Sequence, residues 1–311
     1  MGIIKFNMYK VSAIIPTIGR LKVLINTINS INQQTIIPNE LIIIDQNESD
    51  TIKKLIVNNK LYDKLNIKYI HNKNITGLAQ ARNVGVKNVS SDIDIVLFLD
   101  DDVILEKMFI EEILKVYEID DNINGVGGVI TNYSKSLYQI LHQRIFNREI
   151  FYDTRQIVYS KYLKIENYLE TRIIGGGLMS FRKEIFNRYL FDEHYIGYSL
   201  GEDVDFSWRV SQEYKLVINP KARLEHIRSK TGRYDLFEQY KSRVACSMYL
   251  FNKNISSLSH PIRVIVLNLI GQLIHSLLIC VKVLSVKPIF GYITGLYCSY
   301  NKFKEIKFLK L

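Results

Sequence analysis

Three consecutive carboxylates, Asp100, Asp101 and Asp102, close the apolar run Ile95–Leu99. A run of that kind reads as a strand buried on both faces. Its carboxyl end is where open α/β sheets bind ligands. Three adjacent negative charges repel one another, and a cation relieves that repulsion. Hard carboxylate oxygens with no Cys nearby suit Mg²⁺ or Mn²⁺, for which a nucleotide diphosphate is the usual co-ligand. The same residues have a plainer reading as a solvated acidic turn, with Asp101 or Asp102 capping a helix over 105–118.

Other residues invite chemistry. Gly175-Gly176-Gly177 precedes an apolar strand and lets backbone approach a ligand closely, as an ordinary loop also would. Gly201-Glu202-Asp203-Val204-Asp205 opens a helix reaching about Tyr214, and acidic residues in a first turn complement the helix dipole. The elements that would position these groups alternate. A strand at 11–15 stops at Pro16, and a helix follows over 21–32. A second strand at 41–44 ends at Asp45, and a third spans 67–70. A helix over 77–89 leads into strand 94–99. This spacing predicts βαβ units and a mainly parallel sheet. Right-handed crossovers then gather Pro16 and Thr17, Asp45 and Gln46, and Asp100–Asp102 at one edge. Residues 133–168 read as an insertion with helix and short strands.

Charge is unevenly spread along the 311 residues. From Phe206 onward 17 Lys/Arg face 5 Asp/Glu, so that part carries +12 of a net +10 and the first 205 residues carry −2. Such a basic third fits nucleic acid, anionic lipid or a phosphorylated substrate. No nucleic-acid module is present, so nucleic acid is not the expected partner. Cys246, Cys280 and Cys298 have neither metal-binding nor redox spacing, and residues 1–10 show no secretory pattern, so a cytoplasmic location is expected. Residues 264–281 and 288–301 contain no charge. Within the first stretch Asn268, Gln272 and His275 share one helix face. Such a helix packs on its domain or lies in a membrane interface. Lys287, Lys302, Lys304, Lys307 and Lys310 favour the interface over packing on the domain, and a spanning helix is not expected. The expected division is a domain over 1–255 and an apolar, basic helical region over 256–311.

Together these segments resemble a family-2 glycosyltransferase of GT-A fold over about residues 10–245. Ser12-Ala13-Ile14-Ile15-Pro16-Thr17 resembles its opening strand, and 42–50, with Asp45 and Gln46, its base-binding loop. Gly77-Leu78-Ala79-Gln80-Ala81-Arg82-Asn83 is similar to its Gly-x-x-x-Ala-Arg-Asn segment, and Asp100-Asp101-Asp102 to its Asp-x-Asp. Residues 175–182 and Gly201-Glu202-Asp203 resemble the acceptor-side strand and the loop bearing the catalytic base.

The resemblance implies roles. Asp102 would bind Mn²⁺ or Mg²⁺, with Asp100 reaching the metal through water or reaching the ribose. His226 would be a later metal ligand, and Asp203 the general base of an inverting displacement. Pro16, Thr17, Asp45, Gln46, Arg82, Asn83, Asp101 and Gly176 would line the donor side. Gln46 stands where many relatives carry an acid, and its amide can pair with uracil or thymine, hence a UDP- or dTDP-sugar donor. Loop 229–233 could close over the diphosphate. Trp208 is expected to pack in a core or acceptor wall, and Arg209 to pair with a carboxylate. The implied acceptor is a glycan, lipid-linked, in surface-polysaccharide assembly on the inner face of the membrane. Two rivals stand beside this: a sugar-nucleotide pyrophosphorylase, or a non-catalytic sugar-nucleotide-binding protein of the same fold. The first wants a Gly-rich phosphate loop, and Pro16-Thr17-Ile18-Gly19-Arg20 has one Gly.

Overall fold

The computed structural model describes residues 9–57, 64–133, 135–153, 155, 167–195, 200–227 and 235–308. Two compact units emerge, one from 1–134, 154–197 and 202–231, the other from 135–153, 198–201 and 232–311.

The first unit is built on a sheet. Strands β1 (Val11–Thr17), β2 (Glu40–Asp45) and β4 (Ile95–Leu99) are buried along their whole length, as near-continuous apolar runs must be when both faces are covered. Helix α1 (Leu21–Asn32) buries Leu24, Ile28 and Ile31, one stripe at helical spacing. Helices α2 (Thr51–Val57) and α3 (Leu78–Lys87) flank β3 (Ile67–His71) in sequence. There follow β5 (Val103–Leu105), α4 (Phe109–Ile119), β6 (Ile123–Ile130), β7 (Leu169–Thr171), β8 (Leu178–Arg182) and β9 (Lys215–His226). The sheet order among the described residues is β3-β2-β1-β4-β8-β6-β9-β5, with β7 also on β9. The α/β expectation holds: β3-β2-β1-β4 is parallel throughout. Beyond β4 the sheet is mixed, because β8 runs antiparallel to both β4 and β6 while β6 and β9 are parallel.

One local expectation differs. Residues 103–105 form a strand, and the helix begins only at Phe109, with Met108 as its cap. Antiparallel pairing of β5 with β9 captures Val-Ile-Leu, a partner 120 residues away that local periodicity does not report. The acidic turn therefore caps no helix.

The second unit is helical within its described part: α5 (Leu137–Phe146), α7 (Leu236–Asn254), α8 (Pro261–Val283) and α9 (Lys287–Phe308). The remaining helix of the first unit, α6, spans Glu202–Val210. Ser136 opens α5 with a reciprocal capping box to Gln139. Close approach of α5 and α8 depends on Gly271, where a Cβ would come within 2.5 Å of Phe146.

Candidate active site

Strand register assembles the site. Parallel pairing sets Thr17 opposite Asp45 and aligns Ile14 with Phe98, so β1, β2 and β4 end at one edge. There Thr17 Oγ1 donates to Asp101 Oδ2 at 2.7 Å, and the Gln46 amide donates to the Thr17 carbonyl at 3.0 Å. Pro16 lies buried within β1 opposite Ile44. Thr27, on α1, uses its hydroxyl to hold both sides of the acidic turn, at 2.9 Å from the Asp101 carbonyl and 2.7 Å from that of Val103.

His226 reaches this edge through the β5–β9 pairing, which sets it opposite Val103. Its Nε2 lies 2.8 Å from Asp102 Oδ1, and one ligand atom each from Asp100, Asp102 and His226 fall within 4.8 Å of one another. Two carboxylate oxygens and an imidazole nitrogen so gathered fit a divalent cation of the Mn²⁺ or Mg²⁺ kind. Asp101 is 5% exposed, and burial pushes its pKa up to about 6 against the pull of Thr17 and Arg20. Asp100 is also raised, chiefly by lost hydration, although Arg82 opposes the shift.

The acceptor-side segments meet the same place. In 175–177, the Gly176 amide donates to Asp203 Oδ2 at 2.9 Å, and a Cβ on Gly177 would overlap the Asp100 carboxylate. That turn therefore runs between the acidic cluster and Asp203, and a side chain at 177 would displace the Asp100 carboxylate. Glu202 does not merely complement a dipole: Arg82 NH1 donates to it at 2.6 Å, while Arg82 NH2 lies 3.6 Å from Asp100. Burial, then the neighbouring Asp203 charge, push Glu202 up to about 8, and Arg82 pulls it only part of the way back. Arg82 is itself 1% exposed, under the ring of Phe191, with Nε making no hydrogen bond among the described residues. The structure thus places Arg82 as a buried link between Asp100 and Glu202.

Asp45 and Asn83 are occupied locally. Asp45 is fully buried and accepts from Tyr69 and from the amide and side chain of Asn47, shaping the loop after β2. Asn83 clamps the Phe191 backbone at 2.9 and 3.0 Å and the Glu193 carboxylate at 2.8 Å. Trp208 is fully buried and Arg209 pairs with Asp205, as expected. Loop 229–233 lies outside the described residues.

Three residues at the site were not singled out from the sequence. Arg20 sits 3.2 Å from Asp101 and 3.3 Å from Asp102, and Arg155 lies 3.8 Å from Asp203. Thr27 is the third. A basic residue three positions past Thr17, beside a strand end that must face carboxylates, was the available clue for Arg20.

Known proteins share this fold. The chain superposes on the mannosyltransferase PcManGT of Pyrobaculum calidifontis in complex with GDP-Man and Mn²⁺, with TM-score 0.58 and 15% identity, over 93% of this chain and 73% of that one. It also superposes on GalNAc-T7 with UDP, GalNAc and Mn²⁺ (TM-score 0.58, 18% identity, 77% and 48%) and on S. aureus TarS (TM-score 0.52, 17% identity, 78% and 65%). The fold is that of a GT-A glycosyltransferase. The chain belongs to glycosyl transferase family 2, whose model matches residues 12–190, and it is a glycosyltransferase. In sequence it is 28% identical over 248 residues to the O-antigen chain rhamnosyltransferase RfbN of Salmonella typhimurium, covering 78% of this chain and 74% of that one. It is 27% identical over 230 residues to the glycosyltransferase YwdF of Bacillus subtilis, covering 72% and 76%.

Proposed function

We propose that this enzyme transfers a sugar from a nucleotide-activated donor to a glycan acceptor, lipid-linked, with inversion at the anomeric carbon. The work would be surface-polysaccharide assembly at the inner face of the cell membrane, with the protein peripherally attached. The observation that carries this reading is the turn 175–177, which touches Asp100 on one side and donates to Asp203 on the other. A leaving-group site and a base on either side of one short turn suit a single displacement.

In that reading the acceptor oxygen bonds to the anomeric carbon as the bond to the diphosphate breaks, and the hydroxyl proton passes to an Asp203 oxygen. Gly176 holds that carboxylate in place. Asp100, Asp102 and His226 would hold Mn²⁺ or Mg²⁺, which supplies Lewis acidity toward the departing nucleoside diphosphate. Pro16, Thr17, Asp45 and Gln46, at the ends of β1 and β2, form the nucleotide side. Arg82 fixes Asp100 and Glu202 in mutual register.

The Salmonella relative's name points to rhamnosyl transfer, so dTDP- and UDP-sugars head the candidate donors. Purified protein is to be incubated with a panel of nucleotide sugars and lipid-linked glycans, and released nucleoside diphosphate scored. Metal-dependent release with a UDP- or dTDP-sugar is expected. Failure of every donor to turn over or bind, with either metal, would overturn the reading.

A further inference from the structure

A helix facing water turns its polar stripe outward. Helix α8 does the opposite. Asn268 bonds to Asn147 at 3.3 Å, Gln272 donates to Ser247 at 2.9 Å, and His275 packs on the rings of Tyr240 and His142. The outer side carries Ile262, Val266, Ile270, Leu277 and Val281, from 43% to 78% exposed. Helix α9 repeats the pattern. Gly291, Tyr292, Gly295 and Ser299 are buried, while Phe290, Ile293, Tyr297 and Tyr300, with Val286 just before the helix, are 55–66% exposed. On α5, Leu137, Leu141 and Ile145 stand one turn apart and exposed, while His142 and Phe146 pack on Gly271 of α8. Since α5 touches α8 and α8 touches α9, the three apolar stripes belong to neighbouring helices. The turn between α8 and α9 adds Leu284, 93% exposed at φ 51°, where glycine or asparagine is the ordinary choice.

We propose that α5, α8 and α9 form one docking face that lies in the headgroup plane of an anionic bilayer. The proposal rests on the reading of this enzyme as one that works at a membrane surface, and it enlarges the contact from the tail to α5. Charge selects the occupant. The second unit holds 14 Lys/Arg against 5 Asp/Glu, so it carries +9 of the chain's net +10. Anionic lipid complements that charge, whereas a second copy would set +9 against +9. Helix α8 is apolar and, at 23 residues, long enough to cross a bilayer, with mean hydropathy 2.3 over its most apolar 18-residue window. Its inner face, however, is bonded to α5 and α7, and α7 bears Lys241, Arg243 and Lys253. Spanning would take those charges into hydrocarbon. The helix therefore lies along the surface.

The test uses the full chain and phosphatidylcholine vesicles with and without phosphatidylglycerol. Leu141→Glu, Ile270→Glu and Phe290→Glu probe the three helices, each checked by thermal melt. Where a Glu variant melts early, the Gln variant replaces it. Wild type is expected to co-sediment with the anionic vesicles, to bind neutral ones less, and to be released by alkaline carbonate. Each variant should bind about tenfold or more weakly, the loss expected for one large apolar side chain. Wild type that ignores both vesicle types overturns the membrane reading and the docking face together. Wild-type binding by Leu141→Glu, with loss in the other two, refutes the three-helix face and leaves the membrane reading standing. Resistance to carbonate means a spanning helix and overturns the in-plane placement. A lipid-indifferent dimer that Ile270→Glu dissociates would assign the face to a second copy instead.

Discussion

Asp203 and Asp100 are joined by one three-residue turn, so their roles can be separated by substitution. Asp203→Asn keeps the hydrogen-bond acceptor for Gly176 and removes the proton acceptor. Transfer is expected to fall ~10²–10⁴-fold while calorimetry finds donor affinity unchanged. Near-normal turnover would remove Asp203 from the chemistry. Asp102 and His226 form the second pair. Titrating Mn²⁺ into the metal-free protein should show binding that Asp102→Asn and His226→Gln each weaken, and chelation should abolish transfer. Unimpaired Mn²⁺ binding in His226→Gln would leave the 2.8 Å contact with Asp102 as packing alone. Glu202 gives a pH test. Its carboxyl binds a proton more tightly folded, at about 8, than at the ordinary 4.5, so its contribution to stability is complete below 4.5 and is lost as pH rises through about 8. In chelated protein the melting temperature should decline across that window, and more steeply than in Glu202→Gln. Parallel profiles would show that the buried group does not titrate there.

At the scale of elements, the hydroxyl of Thr27 ties α1 to the β4–β5 turn, its one proton shared between the Asp101 and Val103 carbonyls while its oxygen accepts from the Val103 amide at 3.2 Å. Thr27→Val keeps the shape and orphans buried backbone groups, which should destabilise the fold by about 1–3 kcal/mol in chemical denaturation. A change of a few tenths would mean that the turn is held by other contacts. The junction of β4 with its carboxylates was legible because a both-faces-buried strand writes a continuous apolar run, and α1 was legible by its 24, 28, 31 stripe. The β5–β9 pairing was not, since three apolar residues meeting the end of a distant strand leave no local period. For the same reason the motif order pointed to His226 as a ligand beside Asp102 but not to the strand pairing that brings it there. Motifs also name residue types without their burial. They give no sign that Arg82 is buried against Glu202, or that Asp45 is buried and organises the loop after β2.

Across the whole chain, the tail that composition set apart shares a unit with the α5 segment of the insertion. Gln272 with Ser247, and Asn268 with Asn147, bond α8 to residues that precede it. Truncation before Pro261 should therefore leave α5 and α7 without their cover, and gel filtration with a thermal melt should show aggregation or a lowered transition. A soluble product melting like the full chain would make α8 and α9 a separable appendage. The outward apolar and inward polar sides of α8 also reverse the usual rules of protein engineering for this region. Replacing a surface isoleucine such as Ile262 with lysine, a routine gain in solubility, would strip a binding determinant. Replacing the buried Asn268 with leucine, a routine gain in core packing, would break the bond to Asn147 and loosen the helix from its unit. Handling of the purified protein follows the same logic: on the proposed docking reading, detergent or lipid would cover this surface, and its removal would leave three rows of exposed apolar side chains to find one another.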